Sequence, residues 1–111
     1  MKSLKDIDPI ALHNEALENA FVAQQDFIEQ FGEPAYCGFA WVTIYEDGRS
    51  PFVKALVQAG IAKKSWGKGY IIWNPTNTGT QSMDVKEVAC DAYAQVFRNH
   101  GVVAYMGSRP D

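Results

Sequence analysis

The chain has 111 residues, with 13 acidic residues against 10 lysines and arginines, so its formal net charge at pH 7 is -3. Hydrophobic residues make up 47% and aromatic residues 13% of the sequence, a balance that excludes a disordered tail, a collagen-like repeat and a disulfide-stabilised miniprotein. We therefore predict a single domain over residues 1–111, with an N-terminal helix in 1–33 and an α+β core in 36–107.

The first ten residues contain no apolar segment of the kind found in secretion signals, and the apolar run 36–45 is too short to cross a bilayer. We expect a cytoplasmic protein without a membrane partner. Cys37 and Cys90 form no C-x-x-C motif and have no histidine at metal-ligand spacing. We interpret both as buried small hydrophobic residues and expect neither a metal nor a cofactor.

The first helix is predicted from its two ends. Asp8 followed by Pro9 is typical of an N-cap and first helical position, and Gly32 is typical of a helix end. Between them, residues at three- and four-residue spacing predict one inward face: Leu17, Ala20, Phe21, Gln24, Phe27, Ile28 and Phe31.

Residues 36–45 are aromatic or β-branched on both strand faces, which predicts a central strand covered on both sides. Ser50 and Pro51 then predict the start of a short helix that ends at Gly60.

Two short runs, 61–66 and 69–73, flank a Gly-Lys pair and predict a β-hairpin. Asp84 and Glu87 have the spacing of a capping box, and they predict the start of a helix that runs to His100. Its inner face is predicted from Val85, Val88, Ala89, Ala92 and Val96, and residues 102–106 form the last predicted strand.

After the first helix, the predicted order is strand, helix, strand, strand, helix, strand, which is typical of a ferredoxin-like α+β fold with a four-stranded antiparallel sheet. Both helices of this unit would lie on one face of the sheet. The other face would carry Phe39, Trp41 and Tyr45. Because monomers seldom expose large apolar patches, we expect the N-terminal helix or a second copy in a homodimer to cover it.

Residues 68–70 (Lys-Gly-Tyr) resemble the opening of the signature of the RNA-recognition motif. The resemblance implies that Tyr70 stacks on a base, together with Phe39 or Trp41 of the first strand. The sequence departs from that signature at Ile71 and Ile72, where the family has a small residue and a further aromatic residue.

Charge is unevenly distributed, because residues 1–35 have a net charge of -5 and residues 36–111 one of +2. Basic and aromatic residues around the hairpin are compatible with RNA or single-stranded DNA. Lysines on an edge strand also have a simpler role, since they deter strand addition between molecules. The candidate binding residues are Trp41, Lys63, Lys64, Trp66, Lys68, Tyr70, Trp73 and Arg109.

An enzyme is the least favoured class. Cys37 with His13 or His100 is one conceivable pair of nucleophile and base, but the apolar neighbours of a strand cysteine disfavour its thiolate. We assign no catalytic residue. A small-molecule enzyme would need a pocket with at least two converging polar groups.

Four segments of the C-terminal two-thirds of the chain resemble small proteins encoded by tailed phages of marine cyanobacteria and in marine metagenomes: Gly69-Tyr70, Trp73-Asn74-Pro75, residues 81–87 and residues 104–111. The resemblance implies a viral or environmental source and an intracellular role, and it transfers no activity or catalytic residue. We therefore predict a non-catalytic binding or interaction protein. The alternatives are RNA or single-stranded DNA binding and a small-molecule enzyme.

Overall fold

The computed structural model describes residues 4–111, which form an α+β fold of three α-helices and one four-stranded antiparallel sheet. The first three residues of the predicted N-terminal unit lie outside the described residues. After a 3-10 turn at Leu4–Asp6, the elements are α1 (Pro9–Phe31), β1 (Gly38–Ile44), α2 (Pro51–Gln58), β2 (Lys63–Lys64), β3 (Tyr70–Trp73), α3 (Met83–Asn99) and β4 (Ala104–Pro110).

The strand order across the sheet is β2-β3-β1-β4, and every pairing is antiparallel. The central position predicted for the strand in 36–45 is confirmed, since β1 lies between β3 and β4. Helix α3 packs across β1 and β4. Alternate residues of β1 on that side (Ala40, Val42 and Ile44) are at most 1% exposed, so the hydrophobic core lies between the sheet and α3.

The caps predicted for the first two helices are confirmed. The carboxylate of Asp8 accepts hydrogen bonds from the backbone N–H groups of Ile10 and Ala11 at 3.0 and 3.1 Å. The hydroxyl of Ser50 accepts one from Val53 N–H at 3.2 Å. Each side chain satisfies helix donors that have no partner within the helix.

The start predicted for α3 is wrong by two residues. Ser82 is the N-cap, without a side-chain cap hydrogen bond, and Asp84 lies inside the first turn. Strand-like pairing sets this boundary, because Met83 N–H donates to Tyr36 O at 2.8 Å and Cys37 pairs with Ser82. A contact between distant parts of the chain thus overrides the local capping pattern.

The predicted hairpin strands also differ in length from β2 and β3. The N–H groups of Ile61 and Ala62 both donate to Leu56 O, so these residues close the end of α2 and leave only Lys63 and Lys64 in β2. The last strand is displaced towards the C-terminus relative to the prediction. Val102 N–H bonds Phe97 O at the end of α3, and β4 continues beyond the predicted end to Pro110.

Of the inward face predicted for α1, only Ala20 is buried, because the helix presents a neighbouring face to the core. Leu12, Ala16 and Ala20 are buried where α1 packs against α3, and the two alanines allow the helices to approach closely. Further along, Phe21 is 47% and Phe31 is 62% exposed. Because α1 packs mainly on α3 and, less extensively, on α2, the prediction that it covers the open side of the sheet is wrong.

A histidine and a buried tyrosine join α1 to α3. His13 Nδ1 lies 2.6 Å from the hydroxyl of Tyr93, and the two rings meet edge to face. Burial lowers the pKa of His13, so the neutral imidazole is favoured in the folded protein. In the tautomer that carries its proton on Nε2, Nδ1 accepts the hydroxyl proton of Tyr93.

We expect the free energy of unfolding to decrease as the pH falls below about 6.5, the ordinary pKa of histidine. The reason is that His13 takes up a proton more readily in the unfolded chain than in the folded protein. Urea unfolding at pH 7.5 and 5.5 measures the effect. His13→Gln should show a smaller decrease than the wild type, and His100→Gln is the control. Equal decreases in the His13→Gln variant and the wild type would contradict this assignment.

Candidate ligand-binding face of the sheet

No helix of the described chain lies over the side of the sheet opposite α3, which we call the open face. Its composition follows from the strand register, in which Trp41 pairs with Trp73 and Gly107. Trp73 is 48% and Tyr105 is 54% exposed. The open face comprises Phe39, Trp41, Thr43, Tyr45, Lys63, Ile71, Trp73, Tyr105, Gly107 and Arg109.

Three rings at the centre of this face, those of Phe39, Trp41 and Trp73, form what we call the aromatic platform. The indoles of Trp41 and Trp73 are nearly parallel, at 5° and 5.7 Å between centroids, and the Phe39 ring lies 5.8 Å from that of Trp73. Trp41 rests against Gly107, where an added Cβ would come within 2.7 Å of the indole nitrogen. A glycine at that position therefore allows Trp41 to lie against the β4 backbone.

Trp66 projects from the turn between β2 and β3, and its side chain is fully exposed. Ser65 N–H bonds Gly69 O at 3.1 Å to close the turn. Gly69 has φ of +88°, and a Cβ there would lie 2.6 Å from Ile44 O, so the turn packs tightly against the end of β1. This large apolar side chain therefore buries no appreciable surface against the described chain.

Trp66 and the two indoles of the aromatic platform, Trp41 and Trp73, border one cavity of about 550 Å³. The volume lies within the range of ordinary small-ligand sites, about 300–1,000 Å³. The cavity combines three indoles with several cationic groups. Its lining residues are Trp41, Lys63, Lys64, Ser65, Trp66, Ile71, Trp73 and Arg109.

Two cations of this cavity have no acidic partner among residues 4–111. The guanidinium of Arg109 lies over the Phe39 ring at 5.5 Å, and Lys63 forms neither a salt bridge nor a side-chain hydrogen bond. Lys64 differs, because its ammonium donates to Gly67 O at 3.2 Å and lies 5.3 Å from the Tyr70 ring. Lys63 and Arg109 are thus the cations available to an anionic ligand.

A third positive charge lies behind the aromatic platform. Lys86 of α3 is only 7% exposed, and its ammonium donates to Gly38 O at 2.9 Å. The same ammonium lies 5.2 Å from the Phe39 ring, which Arg109 also approaches. The open face itself carries no carboxylate among the residues that define it, so the electrostatic potential there favours anions.

Six of the eight residues predicted to bind a ligand line this cavity, and Lys68 and Tyr70 do not. Lys68 is exposed in the turn. Tyr70 pairs with Ile44, which is fully buried on the α3 side, so its ring lies on the covered face. The base-stacking role implied for Tyr70 by the resemblance to the RNA-recognition motif therefore does not apply to the open face.

Two residues of this site, Ile71 and Lys86, were not predicted from the sequence. Ile71 lines the cavity, and its two-residue spacing from Trp73 on one strand was the signal that could have found it. Lys86 contacts the back of Phe39 from a different element. No pattern within α3 indicates that contact, because it depends on how the helix lies on the sheet.

The cysteines and histidines form no catalytic pair. Cys37 is exposed, contrary to the prediction that both cysteines are buried, and its thiol donates to Ala35 O. Cys90 is buried, and desolvation, with smaller contributions from Asp91 and Glu87, raises the pKa of its thiol to about 12. His13 contacts Tyr93, and His100 contacts Glu15 at 3.3 Å.

Within residues 4–111, no group of three or more histidine, cysteine and acidic side chains could hold a metal ion. None of the helices in this part of the chain is both long and apolar enough to span a membrane. When the chain is compared with known proteins, no family model, no curated protein and no solved structure matches it.

Proposed function

We propose that this protein is a non-catalytic binding protein whose open face binds single-stranded nucleic acid. The observation that carries the proposal is the cavity that joins three indoles to two cations without acidic partners, Lys63 and Arg109. Nucleobases stack on aromatic side chains, and phosphates pair with lysine and arginine. Few other ligands present both a flat ring and a negative charge at every repeat.

The exposed aromatic surface favours a single strand over a duplex. An indole can stack only on a base whose face is free, and in a duplex both faces of an internal base are covered by its neighbours. Stacking on Trp73 or Trp66 requires no particular donor or acceptor pattern, because every base has a π-face. We therefore expect binding with little preference for sequence.

The net charge of -3 does not oppose this proposal strongly. Seven acidic residues lie in residues 1–35, and most of them belong to α1, which packs on the other side of α3 from the sheet. The Debye length is about 8 Å at physiological ionic strength. Charges on α1 are therefore largely screened from the open face, and Lys63, Lys86 and Arg109 determine its local potential.

Salt dependence tests the proposal. If Lys63 and Arg109 each neutralise one phosphate, the logarithm of the binding constant for a twelve-residue thymidine oligonucleotide should fall against log salt with a slope of about -1.4. Lys63→Ala and Arg109→Ala should each reduce that slope by about 0.7. Tryptophan fluorescence quenching at 20 to 300 mM NaCl gives the slopes.

The matched control is Lys54→Ala, since Lys54 is an exposed lysine of α2 that does not line the cavity. Its slope should equal that of the wild type. A duplex of the same length should bind more weakly than the single strand at every salt concentration. Absence of quenching by the single strand at 20 mM NaCl would refute the proposed function.

A homodimer through the open face is the second candidate. The exposed apolar area around Tyr45, Trp73 and Tyr105 favours it, because such patches are usually covered in a monomer. Sedimentation equilibrium tests this alternative. A concentration-dependent dimer that Trp73→Asp abolishes would support it, and a monomer at all concentrations would exclude it.

The fold is also proposed to be ferredoxin-like. Two features support this assignment: the order strand, helix, strand, strand, helix, strand after α1, and the placement of β1 and β3 in the centre of the sheet. Membership of the phage-encoded family stays a prediction from the sequence. It implies no activity, and the proposed function does not depend on it.

A further inference from the structure

The two available cations lie at opposite corners of the open face. Lys63 of β2 pairs with Ile71, which in turn pairs with Thr43 of β1. Arg109 of β4 pairs with Phe39, four residues before Thr43 on the same strand. The two cations are therefore separated by three strand spacings across the sheet and by four residues along it.

This register fixes an approximate length for the site. With about 4.8 Å between strands and about 3.4 Å per residue along a strand, the Cα atoms of Lys63 and Arg109 lie about 20 Å apart on a diagonal. Their side chains nevertheless line the same cavity. A single phosphate cannot contact both cations at that separation unless both side chains fold inward completely.

The diagonal between the two corners passes over the aromatic platform. Trp73 lies one strand in from β2, and Trp41 lies on the next strand, directly opposite Trp73 in the register. Their parallel indoles therefore lie in sequence between Lys63 and Arg109. Gly107 leaves the space beside Trp41 free of side-chain atoms, and any side chain at that position would displace the indole.

We propose that a single strand crosses the sheet along this diagonal, with two consecutive bases on Trp73 and Trp41. The phosphate before the first base contacts one cation, and the phosphate after the second base contacts the other. The phosphate between the two bases contacts neither. This inference rests on the proposed function, and it adds a defined path and a minimal ligand, a dinucleotide with a phosphate on each side.

The charges around Phe39 support an anion at the Arg109 corner. Arg109 and Lys86 both approach that ring, and neither forms a salt bridge within the described residues. At the opposite corner, exposed Trp66 borders the same cavity as Lys63. Each end of the diagonal thus combines a cation with an aromatic ring, as a nucleotide requires.

The experiment uses the full-length protein and a thymidine tetranucleotide in which one linkage at a time is a neutral methylphosphonate. Neutralising the first or the third linkage should weaken binding by about two- to fivefold, the range expected for one exposed ion pair. Neutralising the second should change it little. In Lys63→Ala one of the two sensitive linkages should become insensitive, and in Arg109→Ala the other one should.

Failure of the path and failure of the proposed function give different results. If both variants lose sensitivity at the same linkage, or if the second linkage is as sensitive as the others, the diagonal path is wrong while nucleic-acid binding stands. If the unmodified tetranucleotide and a twelve-residue oligonucleotide both fail to bind the wild type at low salt, the proposed function itself is wrong. Circular dichroism of the two variants confirms that these exposed substitutions leave the fold intact.

Discussion

Replacing Trp73 with alanine should weaken the binding of a single-stranded oligonucleotide by about one to two orders of magnitude, because each base stacked on an aromatic side chain contributes about 1–3 kcal/mol. Trp73 is the central member of the aromatic platform. Its ring contacts both Trp41 and Phe39, and 48% of its side chain is exposed to a ligand. Its removal therefore eliminates one stacking surface and leaves the other two rings without support.

Fluorescence anisotropy of a labelled twelve-residue thymidine oligonucleotide measures the effect without relying on the tryptophan that is removed. Trp73→Phe should retain part of the affinity, since a smaller aromatic ring still stacks. Tyr36→Ala is the matched control, because Tyr36 is an aromatic residue of comparable exposure that does not line the cavity. If Trp73→Ala and Tyr36→Ala bound the oligonucleotide with equal affinity, the aromatic platform would not be part of the binding site.

The composition of the open face was largely predictable from strand alternation. Residues two apart on a strand share a face, so Phe39 and Trp41 could be placed together before any pairing was known. The error at Tyr70 arose from β3. Trp73 lies three positions after Tyr70 on the same strand, so the two side chains must point to opposite faces. The prediction placed both on the binding face because the resemblance to the RNA-recognition motif was given more weight than this alternation.

Helix boundaries were predictable where the signal is local. The caps at Asp8 and Ser50 depend on bonds across two or three residues, and both predictions were confirmed. The start of α3 was not predictable in this way, because the N–H group of its first residue, Met83, bonds to Tyr36 O, more than forty residues earlier. Contacts of that range carry no short sequence signature.

The inner face of α3 shows why helical periodicity alone was insufficient. Val85, Ala89 and Val96 are buried as predicted, whereas Val88 and Ala92 are only half-buried. Tyr93 and Phe97 were not predicted and are completely buried. The helix lies between the sheet on one side and α1 on the other, so two of its faces are apolar, and a single stripe describes only one of them.

Because α3 is buried on both sides, we expect Phe97 to be the aromatic core residue whose truncation lowers the free energy of unfolding most. Its side chain has no exposed area, and it packs at 5.0 Å from the Tyr93 ring and at 6.1 Å from the Phe52 ring. Phe97→Ala should lower the free energy of unfolding by about 3–5 kcal/mol. Small domains have total stabilities of about 5–15 kcal/mol, so this substitution should bring the protein close to unfolding.

Phe31→Ala is the matched comparison, because it removes the same side chain from a helix at a position that is 62% exposed. Its effect should stay within about 0.5 kcal/mol, and urea denaturation of both variants at one protein concentration measures the difference. Equal decreases in the free energy of unfolding would contradict the exposure of the C-terminal half of α1. If the loss for Phe31→Ala grew with protein concentration, a second copy would be covering that half of the helix, since only association makes stability depend on concentration.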